Sequence, residues 1–135
     1  MNEENCSSSY GAFHIPGLII KTIGHPENII FIYSLPKLKS IGIYFNNGYI
    51  LKVKVKMKYM QNRLDPANFF RSHKLFIVNM NFVDEFWYVG RCLVLRMKNK
   101  VRSEVPVSRK KVKSFLQKRV LFDIKKIKFT AKVST

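Results

Sequence analysis

KSIGIYFNNGYILKVKVKMKYMQNRL, residues 39–64, changes its hydrophobic period partway along, and that change decides what kind of fold the chain can make. Residues 39–45 are β-rich, Asn46-Asn47-Gly48 is a turn, and YILKVKV resumes a β-rich run, so the segment reads as a hairpin. Leu51, Val53, Val55 and Met57 then alternate with Lys52, Lys54, Lys56 and Lys58. A strand has period two, so this alternation gives one apolar face and one cationic face. It does not last. Met57, Met60 and Leu64 fall at i, i+3 and i+7, on one face of a short helix that Asp65-Pro66 ends. Lys52 and Lys54 are therefore assigned to a strand and Lys58 to a helix. The two strand lysines read as the wet side of a sheet, adding long-range attraction for polyanions rather than direct readout.

Working outward, Ile29–Tyr33 (IIFIY) is a short β-rich run ended by Pro36. Residues 1–26 read as an irregular lead-in, with a polar NCSSSYG stretch and breaks at Pro16, Gly17, Gly24 and Pro26. Downstream, FFR (69–71) is a brief strand and HKLFIVNMNF a mostly buried run. EFWYVGRCLVLRMK (85–98) forms a second hairpin that bends at Val89-Gly90. EVPV (104–107) is a strand beside Ser108, an expected N-cap, and Val112, Phe115 and Leu116 define a helix through about Arg119. One domain over residues 27–120 follows, with residues 121–135 a basic strand or tail. Phe76, Phe82 and Trp87 lie in apolar runs and are expected in the core rather than as stacking platforms for bases.

The 135 residues are 47% hydrophobic, which argues for a packed domain and against disorder of the whole chain. The formal charge is +17, and it is uneven. Residues 1–36 carry one lysine against three acids, a balance of −2, while the other 24 cations and five acids give +19. Such a surface attracts polyanions: nucleic acid first, anionic membrane second. Cys6 and Cys92 make no disulfide framework, and Cys92, between Arg91 and Leu93, is expected as a small buried hydrophobe. No apolar run reaches the length of a membrane span, and MNEENCSSSYG lacks the character of a signal peptide, so a cytoplasmic location is expected.

Catalysis is not expected. The acids of the basic part form no pair on a predictable face. His14, His25 and His73 have no metal-ligand spacing, and no Gly-rich phosphate loop or nucleophile elbow occurs. No metal or cofactor is implied.

FFRSHKLFIVNMNFV, followed by VPVSRKKVKSF, resembles the LytTR DNA-binding domain family. That family's pattern is roughly F-x-R-x-H-[RK]-S-[FY]-[IL]-V-N, then P-V-S-R before a C-terminal helix. Phe69, Arg71, His73, Lys74, Phe76, Ile77, Val78 and Asn79 fit the first part, and Pro106, Val107, Ser108 and Arg109 the second. The hairpin-then-helix order of residues 29–64 also matches, so the resemblance covers about residues 27–120. It implies a mainly β fold, an elongated stack of small antiparallel sheets with short helices. It further implies sequence-specific binding of double-stranded DNA, through loops that enter successive major grooves at paired repeats, by a homodimer or by monomers side by side, in a bacterial transcription regulator.

Carried over by position, the resemblance makes Lys74 and Arg109 base readers, with Lys39 a third. A lysine or the planar fork of an arginine can donate to guanine O6 and N7. Arg71 and His73 would orient the loop or touch phosphate, and Lys110 and Lys113 would contact phosphates. Leu75 departs from the pattern, standing where the family has Ser, and Tyr33 stands where the first strand normally carries an acid. The short lead-in leaves no room for a receiver domain, so a stand-alone regulator is expected. Two rivals remain: an accessory protein that pairs with another regulator, and a single-stranded RNA binder using exposed β-face aromatics.

Overall fold

The computed structural model describes residues 25–128. Along them run β1 (Ile29–Leu35), β2 (Ser40–Phe45), β3 (Ile50–Val53), α1 (Met57–Arg63), β4 (Phe69–His73), β5 (Phe76–Asn79), β6 (Val83–Val89), β7 (Cys92–Met97), β8 (Glu104–Val107), α2 (Val112–Lys118) and β9 (Lys125–Lys126), with short 3-10 turns between several of them. The chain is mainly β. One sheet has the order β3-β2-β1-β5-β4 and the other β8-β7-β6-β9. All pairings are antiparallel except β6 with β9, which is parallel. The C-terminal stretch therefore adds one two-residue strand to the second sheet, and residues 129–135 lie outside the described residues. So does nearly all of the expected lead-in, including Cys6 and His14.

The first sheet is a middle layer. Its β1 reads as an almost unbroken apolar run because both of its faces are buried. Ile29 and Ile32 pack with Ile41, Ile43 and Ile77 against Met57, Met60 and Leu64 of the α1 segment. Ile30 and Phe31 point the other way, into a core with Val78, Phe86, Leu95 and Phe115. Two neighbours on one side breaks the strand alternation, and a register shift between Ile29 and Phe31 accounts for it. Each such fully buried side chain contributes roughly 1.5–3 kcal/mol. A seven-residue helix such as α1 depends on this packing, since an isolated helix of that length is unstable in water.

The turns follow from their residues. Gly48 (φ +90) closes the β2–β3 connection, where Asn47 Oδ1 accepts the Tyr49 N–H at 2.9 Å. Gly90 (φ +63) does the same between β6 and β7. Cys92 differs from expectation: it is exposed. It pairs with the exposed Val89 at the mouth of that hairpin, and the period that turns Leu93, Leu95 and Met97 inward turns Cys92 out. Ser108 also differs. It precedes a 3-10 turn over Arg109–Lys111 rather than α2 itself, and its side chain makes no capping bond. Trp87 is buried, while Phe76 and Phe82 are partly buried against the core. No helix among the described residues is long and apolar enough to cross a membrane.

Candidate nucleic-acid interface

Strand pairing alone gathers distant parts of the chain at one end of the first sheet. Leu35 pairs with Ser40, Ile41 with Val53, Tyr33 with Phe76, and Phe76 with His73. The turn over residues 36–39, the segment 54–56 that leads into α1, and the Lys74-Leu75 turn must therefore lie side by side. The second sheet meets the same end, because the Ser108 N–H donates to the Ser72 carbonyl at 2.8 Å. Arg109 thus follows directly on the residue that is bonded beside the His73–Lys74 turn.

A bulge makes that last contact possible. Phe70 faces Val78 and His73 faces Phe76, so Arg71 and Ser72 together oppose Ile77 alone. The bulge bends β4 as it enters the turn. Arg71 then braces the turn from below: Nη2 donates to the Lys74 carbonyl at 2.6 Å, Nε to the His73 carbonyl at 3.4 Å, and Nη1 to Gln61 Oε1 at 2.9 Å. His73 Nδ1 accepts the Leu75 N–H at 3.1 Å, and its ring meets Phe76 edge-on at 6.0 Å. The Leu75 carbonyl accepts the Ser34 N–H at 2.9 Å. Every backbone polar group so engaged fixes where the Lys74 side chain starts.

Cations divide into two kinds. Arg96 pairs with Glu85 at 2.8 Å and lies over the Trp87 ring, Arg102 pairs with Asp84 at 2.9 Å, and Arg119 donates to the Ile124 carbonyl at 2.8 Å. Arg71 belongs with these. Lys39, Lys74, Arg109, Lys110 and Lys113 are exposed, and their side chains have no hydrogen-bond or ion-pair partner among the described residues. Lys39 is also held in the left-handed region (φ 51, ψ 41), closing the 3-10 turn Pro36–Leu38.

Lys39 and Lys74 line one open groove of 710 Å³, and Lys54, Lys56, Lys58 and Arg71 complete its charged wall. Ile41, Val55 and Met57 contribute apolar surface, and no lining residue is acidic. Arg109, Lys110 and Lys113 do not line it; Arg109 and Lys110 lie on the 3-10 turn after Ser108, and Lys113 on the first turn of α2. Sequence reasoning passed over Lys54, Lys56 and Lys58 as binding residues. β3 stops at Val53, so Lys54 is not on the wet face of the sheet, and the register that swings residues 54–58 round to Lys39 and Lys74 is a long-range property. The local signal was the alternation itself, continuing past the end of the strand. Acids sit elsewhere: Glu27 and Asp65 flank the opposite end of the first sheet, and Asp84, Glu85 and Glu104 are engaged by Arg96 and Arg102.

Comparison with known proteins agrees with this layout. Residues 23–119 match the family model of the LytTr DNA-binding domain. The transcriptional regulatory protein YpdB of Escherichia coli K12 is 45% identical over 58 residues, which are 42% of this chain and 23% of that protein. The sensory transduction protein LytT of Oceanobacillus iheyensis is 29% identical over 73 residues, 53% of this chain and 29% of that protein. The chain thus matches about a quarter of the length of these curated relatives. A solved LytTr DNA-binding domain from Bacillus cereus shares the fold, with a TM-score of 0.58 at 20% identity over 67% of this chain and 80% of that one. With the family's pattern carried on the bulged β4–β5 turn and on the β8–α2 junction, and with the match running through both sheets, the chain belongs to the LytTr DNA-binding domain family.

Proposed function

We propose that this chain binds double-stranded DNA in a sequence-specific manner, as the DNA-reading part of a cytoplasmic transcription regulator, without a catalytic step. Lys39, Lys74 and Arg109 read base edges, Lys110 and Lys113 contact phosphates, and Arg71 and His73 shape the turn that presents Lys74. Paired repeats, occupied by two copies, are the expected targets. What supports this reading is that, among the described residues, Lys39 and Lys74 line one groove with unpartnered side chains, and Arg109, also with an unpartnered side chain, follows Ser108, whose N–H is bonded beside the same turn. Loops on a rigid β scaffold can place such groups in a major groove, where guanine offers O6 and N7 as acceptors.

The rival that stacks single-stranded RNA on exposed aromatics finds little support, since Trp87 is buried and Phe76 and Phe82 lean on the core. Selection from a random duplex pool, set against a single-stranded pool, tests the reading. Enrichment of one duplex sequence is expected. Arg109→Ala should weaken binding to that sequence by about 1–3 kcal/mol and flatten the base preference at one position. Binding of single strands alone would overturn the reading. Absence of any duplex shift, with a co-purifying regulator, would favour the accessory role that Leu75 suggests.

A further inference from the structure

We propose that the groove beside the reading loops is a second phosphate-binding track, in which Lys54, Lys56 and Lys58, in the groove that Lys39 and Lys74 also line, hold the sugar-phosphate backbone of one DNA strand. This rests on the duplex-binding reading above, and assigns affinity to Lys54, Lys56 and Lys58, which take no part in base readout.

Three observations point to a backbone strand as the occupant. Every charged residue lining the groove is a cation, and six of them, Lys39, Lys54, Lys56, Lys58, Arg71 and Lys74, share it, as a chain of phosphodiesters requires. Its lysine side chains are exposed and without partners among the described residues, so no protein carboxylate must be displaced. Lys54 and Lys56 lie two apart on a segment without helix, and Lys56 is extended (φ −85, ψ 151). Two residues of extended chain advance about 6.6 Å, a step comparable to that between successive phosphates along a strand. Val55, half-buried between Lys54 and Lys56, gives the deoxyribose face an apolar patch, while Met57 is turned into the core. Arg71 adds its charge to the field, but its guanidinium is spent on Gln61 and on the His73 and Lys74 carbonyls.

The track makes a prediction that base readers do not. Each phosphate neutralised contributes about 0.9 to the slope of log K against log salt. The triple variant Lys54→Gln, Lys56→Gln, Lys58→Gln should flatten that slope by about 2 to 3, with the preference for the selected sequence over a scrambled duplex unchanged. Arg109→Ala should do the reverse, changing the slope by no more than about 1 while lowering the preference. Fluorescence anisotropy of the selected duplex between 50 and 200 mM salt, roughly the range over which such slopes are read, gives both quantities. Phosphate-ethylation interference on the unaltered protein supplies a readout independent of any variant: a run of blocked phosphates is expected on one strand, flanking the bases that are read. A triple variant with the original slope, or one whose ethylation-interference pattern is the same as that of the unaltered protein, would overturn the track while leaving the duplex reading intact. Failure of the unaltered protein to bind duplex DNA would overturn both.

Discussion

Lys39 occupies a backbone conformation that glycine would hold more cheaply. For a residue with a Cβ the left-handed region costs roughly 1–2 kcal/mol, and strain of this kind is retained where the side chain has a task. Lys39→Gly should therefore stabilise the fold by up to about 1 kcal/mol, the gain being tempered by the greater entropy of glycine in the unfolded chain. A higher denaturant midpoint at unchanged slope would show it, and duplex affinity should fall in the same variant. Gly42 presents the opposite case. It lies across the ladder from Tyr33, and a Cβ there would run into the tyrosine ring. Gly42→Ala should cost about 1–3 kcal/mol by driving that ring off its neighbour Phe31, whose centroid lies 5.8 Å away. With Tyr33→Ala already in place the penalty should shrink, which a double-mutant cycle would measure.

At the scale of elements, most strands and both helices were legible because their periods are strong and their breaks explicit, whereas β5 read only as a buried run and β9 as a strand or tail. The Asn-Gly turn, Asp65-Pro66 and the i, i+3, i+4 spacing of Val112, Phe115 and Leu116 each fix an element from local chemistry. So did the pattern that marks Lys74 and Arg109, since it joins a turn and a strand–helix junction that the Ser108–Ser72 hydrogen bond brings together. What escaped was set by pairing rather than by propensity. The bulges at Ile29–Phe31 and Phe70–His73 leave no mark in a hydrophobic pattern, yet one lets Ile30 and Phe31 share a core and the other frees Ser72 to reach β8. Cys92 looked buried because the apolar run Leu93–Leu95 follows it, and only the hairpin register shows it facing out. The tie between Arg71 and Gln61 crosses from β4 to α1, two elements that sequence alone does not place together.

On the scale of the molecule, helix, sheet and second sheet are stacked so that the first sheet is buried on both faces and only its ends and edges meet water. Lysines line one of those ends, and Glu27 and Asp65, with Arg63, flank the other. With a formal charge of +17, the folded chain repels itself, and screening should relieve that repulsion. The melting temperature is expected to rise between about 0.05 and 0.5 M sodium chloride, the reverse of what a fold held by surface ion pairs would show, and calorimetry would read the sign. Arg96 and Arg102 work slightly against the trend, because their pairs with Asp84 and Glu85 weaken as ions are added.

Glu27 and Asp65 at one end of the first sheet and the lysine wall at the other make the protein an electrical compass needle as well as a cation. In the field of a polyanion such a body feels a torque before it makes contact, and so arrives with its lysine-lined end leading. Encounter should then be productive in a larger fraction of collisions than a uniformly charged domain of the same size would achieve.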